Sequence, residues 1–563
     1  MTRHVKTGLT LLLCLALCLV ACAAPPAQPA PPATGALSFT IAFVGDTHSH
    51  LDPVETLVKT GGKDTLLQAG GLPRLASVIN GLRAKDEVML LHAGDALFGT
   101  YYFMKYGVTA DVDMLNAMGF ATMAVGNHDF DKGPEGLVEF ARLAKFPLIS
   151  ANIEASGQPG LKAALKPYTV LTVKGQKIGV IGLTTTLTPL LDPSGPGVKF
   201  LNPTEAAQLA ADELAQAGVD KVILLSHLGY DPDLPLVKSL KGVDLVVGGH
   251  SHSLLGPGAL KELGLDVAGP YPTIVKDSEG RDVPIVHAWE YSRALGMLNV
   301  KFDGQGRLIS YQGSTIIPIG DDIKQPGPGG QYVSLKPGSA EYAALLAVLK
   351  PAGIEVYPED KVIAKLRDSY YQPISFIGDK VAVADATLNE RDLAFLVADA
   401  MMRKAKSAGL KAQFSFVPVS YMRGGSIMQG DFNGAPLYEF MPFESPLVVC
   451  EVRGSDLKRL IELMVNNPSP YIIVKTGTPY LAVSGLRFRV DNSQPRNVID
   501  LQVDDGGPMD LEGTYRLVTT ARIAKGMFKV SETTDFIDSR VFIDYARSLG
   551  NLRPVSEQRV QGW

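Results

Sequence analysis

The sequence predicts an α/β protein of two domains, and three observations carry that expectation. From residue 37 to about residue 317, short β-branched runs alternate with longer amphipathic ones, the pattern of strands joined by crossover helices. A second α/β region begins near Ile374, after a Gly- and Pro-rich stretch at residues 321–338 that reads as a domain boundary or an inserted loop. The 563 residues also exceed what one hydrophobic core supports, roughly 250–300 residues.

Taken in chain order, the N-terminus reads as a targeting segment. Arg3, His4 and Lys6 precede an apolar run at 9–20 that is too short to span a bilayer as a helix and matches a secretory signal. It ends in Leu19-Val20-Ala21-Cys22, which resembles the bacterial lipoprotein box, so Cys22 is expected to carry lipid and become the mature N-terminus. The Pro- and Ala-rich tract that follows is expected to be an extended tether. These features divide the chain into a signal peptide (1–21), a tether (22–36), a first domain (37–335), a linker containing a helix at 340–349 (336–368) and a second domain (369–563). Three of the four cysteines lie in the leader or at its edge, and Cys450 sits in the apolar run 447–452 as a buried small hydrophobe.

In the first domain the strand candidates are 39–44, 88–91, 121–125, 177–183, 221–225 and 244–247. Helices are expected between them at 72–84, 135–144 and 204–217, the last opened by Asn202-Pro203-Thr204-Glu205, with Pro early and an acid near the positive end of the dipole. In the second domain the pattern gives helices at 391–406 and 455–465, strands at 472–475 and 515–519, and a Gly-rich loop at Arg423-Gly424-Gly425.

The chemistry gathers where those first-domain strands stop. Five apolar runs end in a metal-ligand residue type: Asp46 and His48, Asp95, Asn127 and His128, His227, and His250 with His252. In open α/β sheets ligands bind beyond the carboxyl ends of the strands, so five such ends are expected to meet at one centre. Imidazole, carboxylate and amide ligands without thiolates suit divalent Mn, Fe, Co or Zn and exclude a Cys-type structural zinc site. His50, His92 and His287 are read as structural or supporting residues, and Asp129 as a helix cap in place of a ligand.

Gly45-Asp46-Thr47-His48, Gly94-Asp95, Gly126-Asn127-His128-Asp129, Ser226-His227 and Gly248-Gly249-His250-Ser251-His252 resemble the successive motifs of the calcineurin-like metallophosphoesterases. The strings at 146–153 (FPLISANI) and 226–231 (SHLGYD) are similar to those of the 5′-nucleotidase family within that group. The resemblance implies a four-layer αββα metallophosphoesterase domain, a linker helix and a second α/β domain that binds substrate. It implies two divalent metal ions, one held by Asp46, His48 and His252, the other by Asn127, His227 and His250, with Asp95 bridging. His128 would then face the substrate, oriented by Asp131. Water acidified by such an ion pair hydrolyses phosphate esters without a covalent intermediate.

The C-terminal match is in outline only. Val397-Ala398-Asp399-Ala400-Met401, Gly430-Asp431 and Met441-Pro442-Phe443 follow the family pattern, whereas Arg423 precedes its glycines with no Asn before them. The family's Pro-Phe-Gly-Asn becomes Pro442-Phe443-Glu444-Ser445, and its late Gly-Gly-Asp-Gly-Tyr becomes Lys525-Gly526-Met527-Phe528-Lys529. Arg423 is expected to contact phosphate and Phe443 to stack on a substrate ring, with Phe528 as its partner, while Glu444 would repel a polyphosphate.

Net charge of −5 with no long basic run argues against nucleic acid as a partner. With the resemblance, the expectation is a lipid-anchored hydrolase facing the periplasm or exterior and acting on a small phosphorylated substrate, a nucleoside monophosphate. The residues leave open a cyclic-nucleotide or nucleotide-sugar phosphodiesterase and a thiosulfohydrolase-type relative. A solute-binding lipoprotein, the rival from another class, has no need of convergent His and Asp.

Overall fold

Every strand that ends in a candidate ligand is apolar on both faces, and a strand of that kind must be covered on both. The computed structural model describes residues 35–188, 197–328, 331–422, 426–466, 481–491, 493, 495–504, 507–555 and 559–562. Cys22 and the tether, Arg423 with its two glycines, and the strand expected at 472–475 lie outside the described residues.

In the first domain β1 (Leu37–Val44), β2 (Val88–His92) and β3 (Thr122–Ala124) run parallel in one sheet, while β4 (Gln176–Thr184), β5 (Val222–His227), β6 (Leu245–Gly248) and β7 (Asp282–His287) run parallel in another. Alternation along each strand decides the layering. Phe39, Ile41 and Phe43 of β1 and Leu91 of β2 pack against Ile178, Val180, Ile223, Leu225, Leu245 and Val247 from the other sheet. Ala42 and Val44, on the opposite face of β1, pack with Leu75 and Ile79 of the helix Leu72–Arg83 and with Met114 and Leu115 of the helix Thr109–Met118. Across the second sheet, Ile181, Leu224 and Val246 pack on Ala207, Ala211 and Leu214 of the helix Pro203–Gln216. The order is αββα, as expected, and Asn202 caps that last helix by accepting hydrogen bonds from the Thr204 and Glu205 amides at 2.9 and 3.2 Å.

Residues 321–338 behave differently from the sequence reading. Lys324–Pro326 and Tyr332–Ser334 pair as an antiparallel ribbon that joins the first sheet through Lys324 and Leu66. Gln325 is buried there and donates to the Thr60 and Thr65 hydroxyls at 3.1 and 2.9 Å. Pro326 thus sits in a ribbon at a sheet edge, a place where prolines are tolerated. The linker helix Ala340–Leu349 packs on the same side of the first domain, and Ile374, where the second region was expected to open, is buried in the first domain's outer core.

The second domain is also α/β. Its central sheet contains β8 (Phe414–Pro418), β9 (Pro446–Arg453), β10 (Thr514–Thr520) and β11 (Lys529–Ile537), with the long helix Glu390–Ser407 packed against it. That helix opens with a capping box between Asn389 and Asp392. Cys450 is fully buried in β9, and burial pushes its thiol up to about 11. Among the described residues no helix is long and apolar enough to cross a membrane.

Candidate metal centre

The turns that follow β1, β2 and β6 carry their ligand-type residues in strained backbone, whereas His227 ends β5 itself. Asp46, His48, Asp95, His250 and His252 all have positive φ, between 47° and 74°, a region that costs a non-glycine residue on the order of 1 kcal/mol or more. Close glycines allow the turns to nest: a Cβ on Gly126 would collide with Asp95 Oδ1, and one on Gly248 would collide with the buried His287 ring.

Two groups of donor atoms result, one from Asp46, His48 and His252 and one from Asp95, His227 and His250, each group within 4.8 Å. Hydrogen bonds on the far side of each ring fix which nitrogen faces inward. His48 Nδ1 donates to the carbonyls of Leu97 and Phe98 at 3.3 and 3.0 Å, His227 Nδ1 donates to Ala93 O at 2.7 Å, and His252 Nδ1 pairs with Glu290. In the neutral rings every Nε2 is therefore a lone pair, and these lone pairs face other acceptors. His48 Nε2 is 3.1 Å from His252 Nε2, and His227 Nε2 is 3.2 Å from Asp95 Oδ2 and 3.3 Å from Asn127 Oδ1. Acceptors so close repel unless a proton or a cation lies between them, so the donor set fits divalent metal in both groups. In metal-free protein protonation gives the relief: burial pulls His227 down, but the Asp95 charge outweighs it and pushes the ring up to about 9. Asp95 links the groups, because its Oδ2 is also 3.7 Å from His48 Nε2 while Oδ1 accepts from the His128 amide at 2.8 Å.

His128 and Asp131 meet as expected, with Nδ1 3.0 Å from Asp131 Oδ2. Asp129 does not cap a helix. Its carboxylate accepts from the amides of Asp95, Ala96, Leu97 and Gly126 at 2.8–3.3 Å and so staples the β2 and β3 turns together. His92 receives the Gly94 amide on Nδ1 at 3.2 Å and donates from Nε2 to Thr47 at 3.0 Å, a supporting role. His287 contacts Asp233 at 3.1 Å, and Asp233 accepts from Ser226 at 2.6 Å, fixing the end of β5. His50 stacks on Tyr291 at 4.4 Å and donates to the His48 carbonyl at 3.0 Å.

Two neighbours escaped the sequence reading. Glu290 binds His252 and also accepts from Arg293 at 3.0 Å; burial raises this carboxyl, but His252 and Arg293 bring it down to about 2. A carboxylate that orients a ligating imidazole commonly contributes about 10–100-fold to metal affinity. Glu290→Gln is accordingly expected to weaken metal binding about 10-fold or more, read as the free Mn concentration that half-restores activity. An unchanged value would show that Glu290 does not orient the ring. Phe98, also at positive φ, stacks on His128 with centroids 5.4 Å apart and meets Phe443 of the second domain at 5.6 Å.

The substrate-side expectations divide. Phe443 does reach the centre's edge, but Phe528 does not stand opposite it. Lys529 pairs with Glu451 near the far end of β9, while Phe443 precedes Pro446 at the near end, a separation of roughly 15 Å along the strand. Phe528 packs edge-on against buried Phe416 at 5.1 Å.

An αββα sandwich with two adjoining acid and imidazole clusters at its strand ends defines a calcineurin-like metallophosphoesterase, and residues 39–254 match the calcineurin-like phosphoesterase family. Residues 369–531 match the 5′-nucleotidase C-terminal domain. The chain is 31% identical to a probable 5′-nucleotidase of Treponema pallidum, over 100% of this chain and 99% of that one. It is 30% identical to the NAD 5′-nucleotidase of Haemophilus influenzae, over 89% and 86%. Its fold is similar to the crystal structure of a 5′-nucleotidase precursor from Thermus thermophilus, with a TM-score of 0.75 and 34% identity over 93% of this chain and 99% of that one. The chain belongs to the 5′-nucleotidase family and is a metal-dependent phosphoester hydrolase.

Proposed function

We propose that the protein hydrolyses nucleoside monophosphates to nucleoside and phosphate outside the cytoplasm, anchored through lipid on Cys22. The carrying observation is the convergence of inward-facing Nε2 lone pairs on Asp95 Oδ2. Asp46, His48 and His252 would hold one ion, Asn127, His227 and His250 the other, and Asp95 both. The chemistry such a pair supplies when bound is acidification of water and neutralisation of phosphoryl charge. The mixed nitrogen and oxygen donors favour Mn, Fe, Co or Zn.

The chain's own groups do the rest. Asp131 accepts from His128 Nδ1 and so favours the ring that carries a proton on both nitrogens; its Nε2–H then points to the substrate, where it donates a hydrogen bond to a phosphoryl oxygen or passes its proton to the departing alkoxide, leaving the neutral ring. Phe98 stacks on the His128 ring and excludes water from that side. Phe443 and Arg423 of the second domain receive the organic part and the phosphate.

The test is phosphate release from AMP by purified protein, before and after chelation. Release that falls to background with chelator and returns with added Mn supports the reading; release indifferent to chelator contradicts it. For the anchor, Cys22→Ser should free the protein from the membrane fraction, and retention there would refute lipidation at Cys22.

A further inference from the structure

With Phe528 remote, Phe443 is flanked by a different group. The Arg522 guanidinium lies over the Phe443 ring, 4.1 Å from its centroid. Tyr421 and Phe98 also touch Phe443, but tilted at 42° and 39°, so among the described residues it is the Arg522 cation that lies over its face. The placement is fixed from behind. The Arg522 amide donates to Ser445 Oγ at 3.1 Å, and the Ser445 amide donates to Asp538 at 3.1 Å. Asp538 also accepts from the Tyr421 hydroxyl at 2.5 Å. Arg522 itself is exposed and has no carboxylate partner among the described residues. Glu444, the nearest acid in sequence to Phe443, sits beside Tyr101, Tyr438 and Arg540 at the face toward the first domain.

We infer that Arg522, stacked on Phe443, reads the substrate's base and selects those that present a carbonyl over those that present an amino group. A guanidinium has five donors and no acceptor, so it bonds the O6 and N7 acceptors of hypoxanthine or guanine and the O4 of uracil. Against adenine N6 or cytosine N4 it sets donor against donor. The inference rests on the nucleotide reading above and adds which bases that site takes.

Two substrate pairs isolate the effect, since IMP and AMP, and UMP and CMP, differ chiefly in a carbonyl against an amino group. With wild-type protein kcat/KM is expected to favour IMP over AMP by about 10-fold, the range of one good bidentate base contact, and UMP over CMP by a smaller factor of about 3-fold or more, since O4 alone accepts. Arg522→Met should bring both ratios to near one, mainly through KM for IMP and UMP, and Arg522→Gln, which carries donor and acceptor, should do the same. A structural role for Arg522 would lower all four values together and leave the ratios alone. Equal ratios in wild type and Arg522→Met, or a wild-type preference for AMP and CMP, overturn the inference. Absence of hydrolysis of all four by wild type would instead overturn the nucleotide reading itself.

Discussion

Asp95→Asn is expected to lower phosphate release from AMP by about 10³-fold or more and to reduce the bound metal. The carboxylate works with both oxygens: Oδ1 receives the His128 amide, and Oδ2 faces the His227 and His48 nitrogens at 3.2 and 3.7 Å. An asparagine that keeps its oxygen on the His128 amide must turn its NH₂ toward both clusters, replacing a shared anion by a positively polarised donor. Packing is preserved, so the loss is electrostatic, and removal of a single preorganised charge-stabilising group typically costs about 10²–10³-fold in rate before any loss of metal. Activity and metal content equal to wild type would remove Asp95 from the centre.

His128→Ala should separate catalysis from metal binding. The ring is stacked against Phe98 and bonded to Asp131, and it lies outside both ligand groups. A general acid contributes about 10²–10⁴-fold, so kcat should fall by that much while metal content stays at the wild-type level. Asp131→Asn should reproduce a smaller part of the loss, because the ring remains but its orientation is less firmly held. If His128→Ala loses metal in proportion to activity, the side chain is a ligand and the division of roles fails. A His128→Ala enzyme with undiminished kcat would leave no catalytic role for it.

Most of the first domain could be read from residue order because strand burial and ligand type coincide there. Apolar runs ending in Asp, Asn or His mark where β1, β2, β3, β5 and β6 stop, and the structure brings those stops together. Glu290 was not legible: it lies 38 positions after His252, in an irregular turn, and only the fold brings the two together. Asp129 was read as a cap because a local acid after a turn commonly is one, whereas its four amide partners come mainly from a turn more than thirty residues away. The ribbon at Lys324–Pro326 was hidden by its composition, since Pro and Gly signal a break unless a sheet edge is at hand to use them. In the second domain the pairing register decides. Lys529 opposite Glu451 carries Phe528 away from Phe443, over whose ring Arg522 lies instead, a placement no local motif announces.

The central claim is that two clusters sharing Asp95 hold two divalent ions. Anomalous diffraction from crystals soaked in Mn, with metal counted in the same preparation, tests it most directly. The account predicts two ions per chain, one among Asp46, His48 and His252 and one among Asn127, His227 and His250, both contacting Asp95. A single ion, or two ions with Asp95 touching neither, would contradict it.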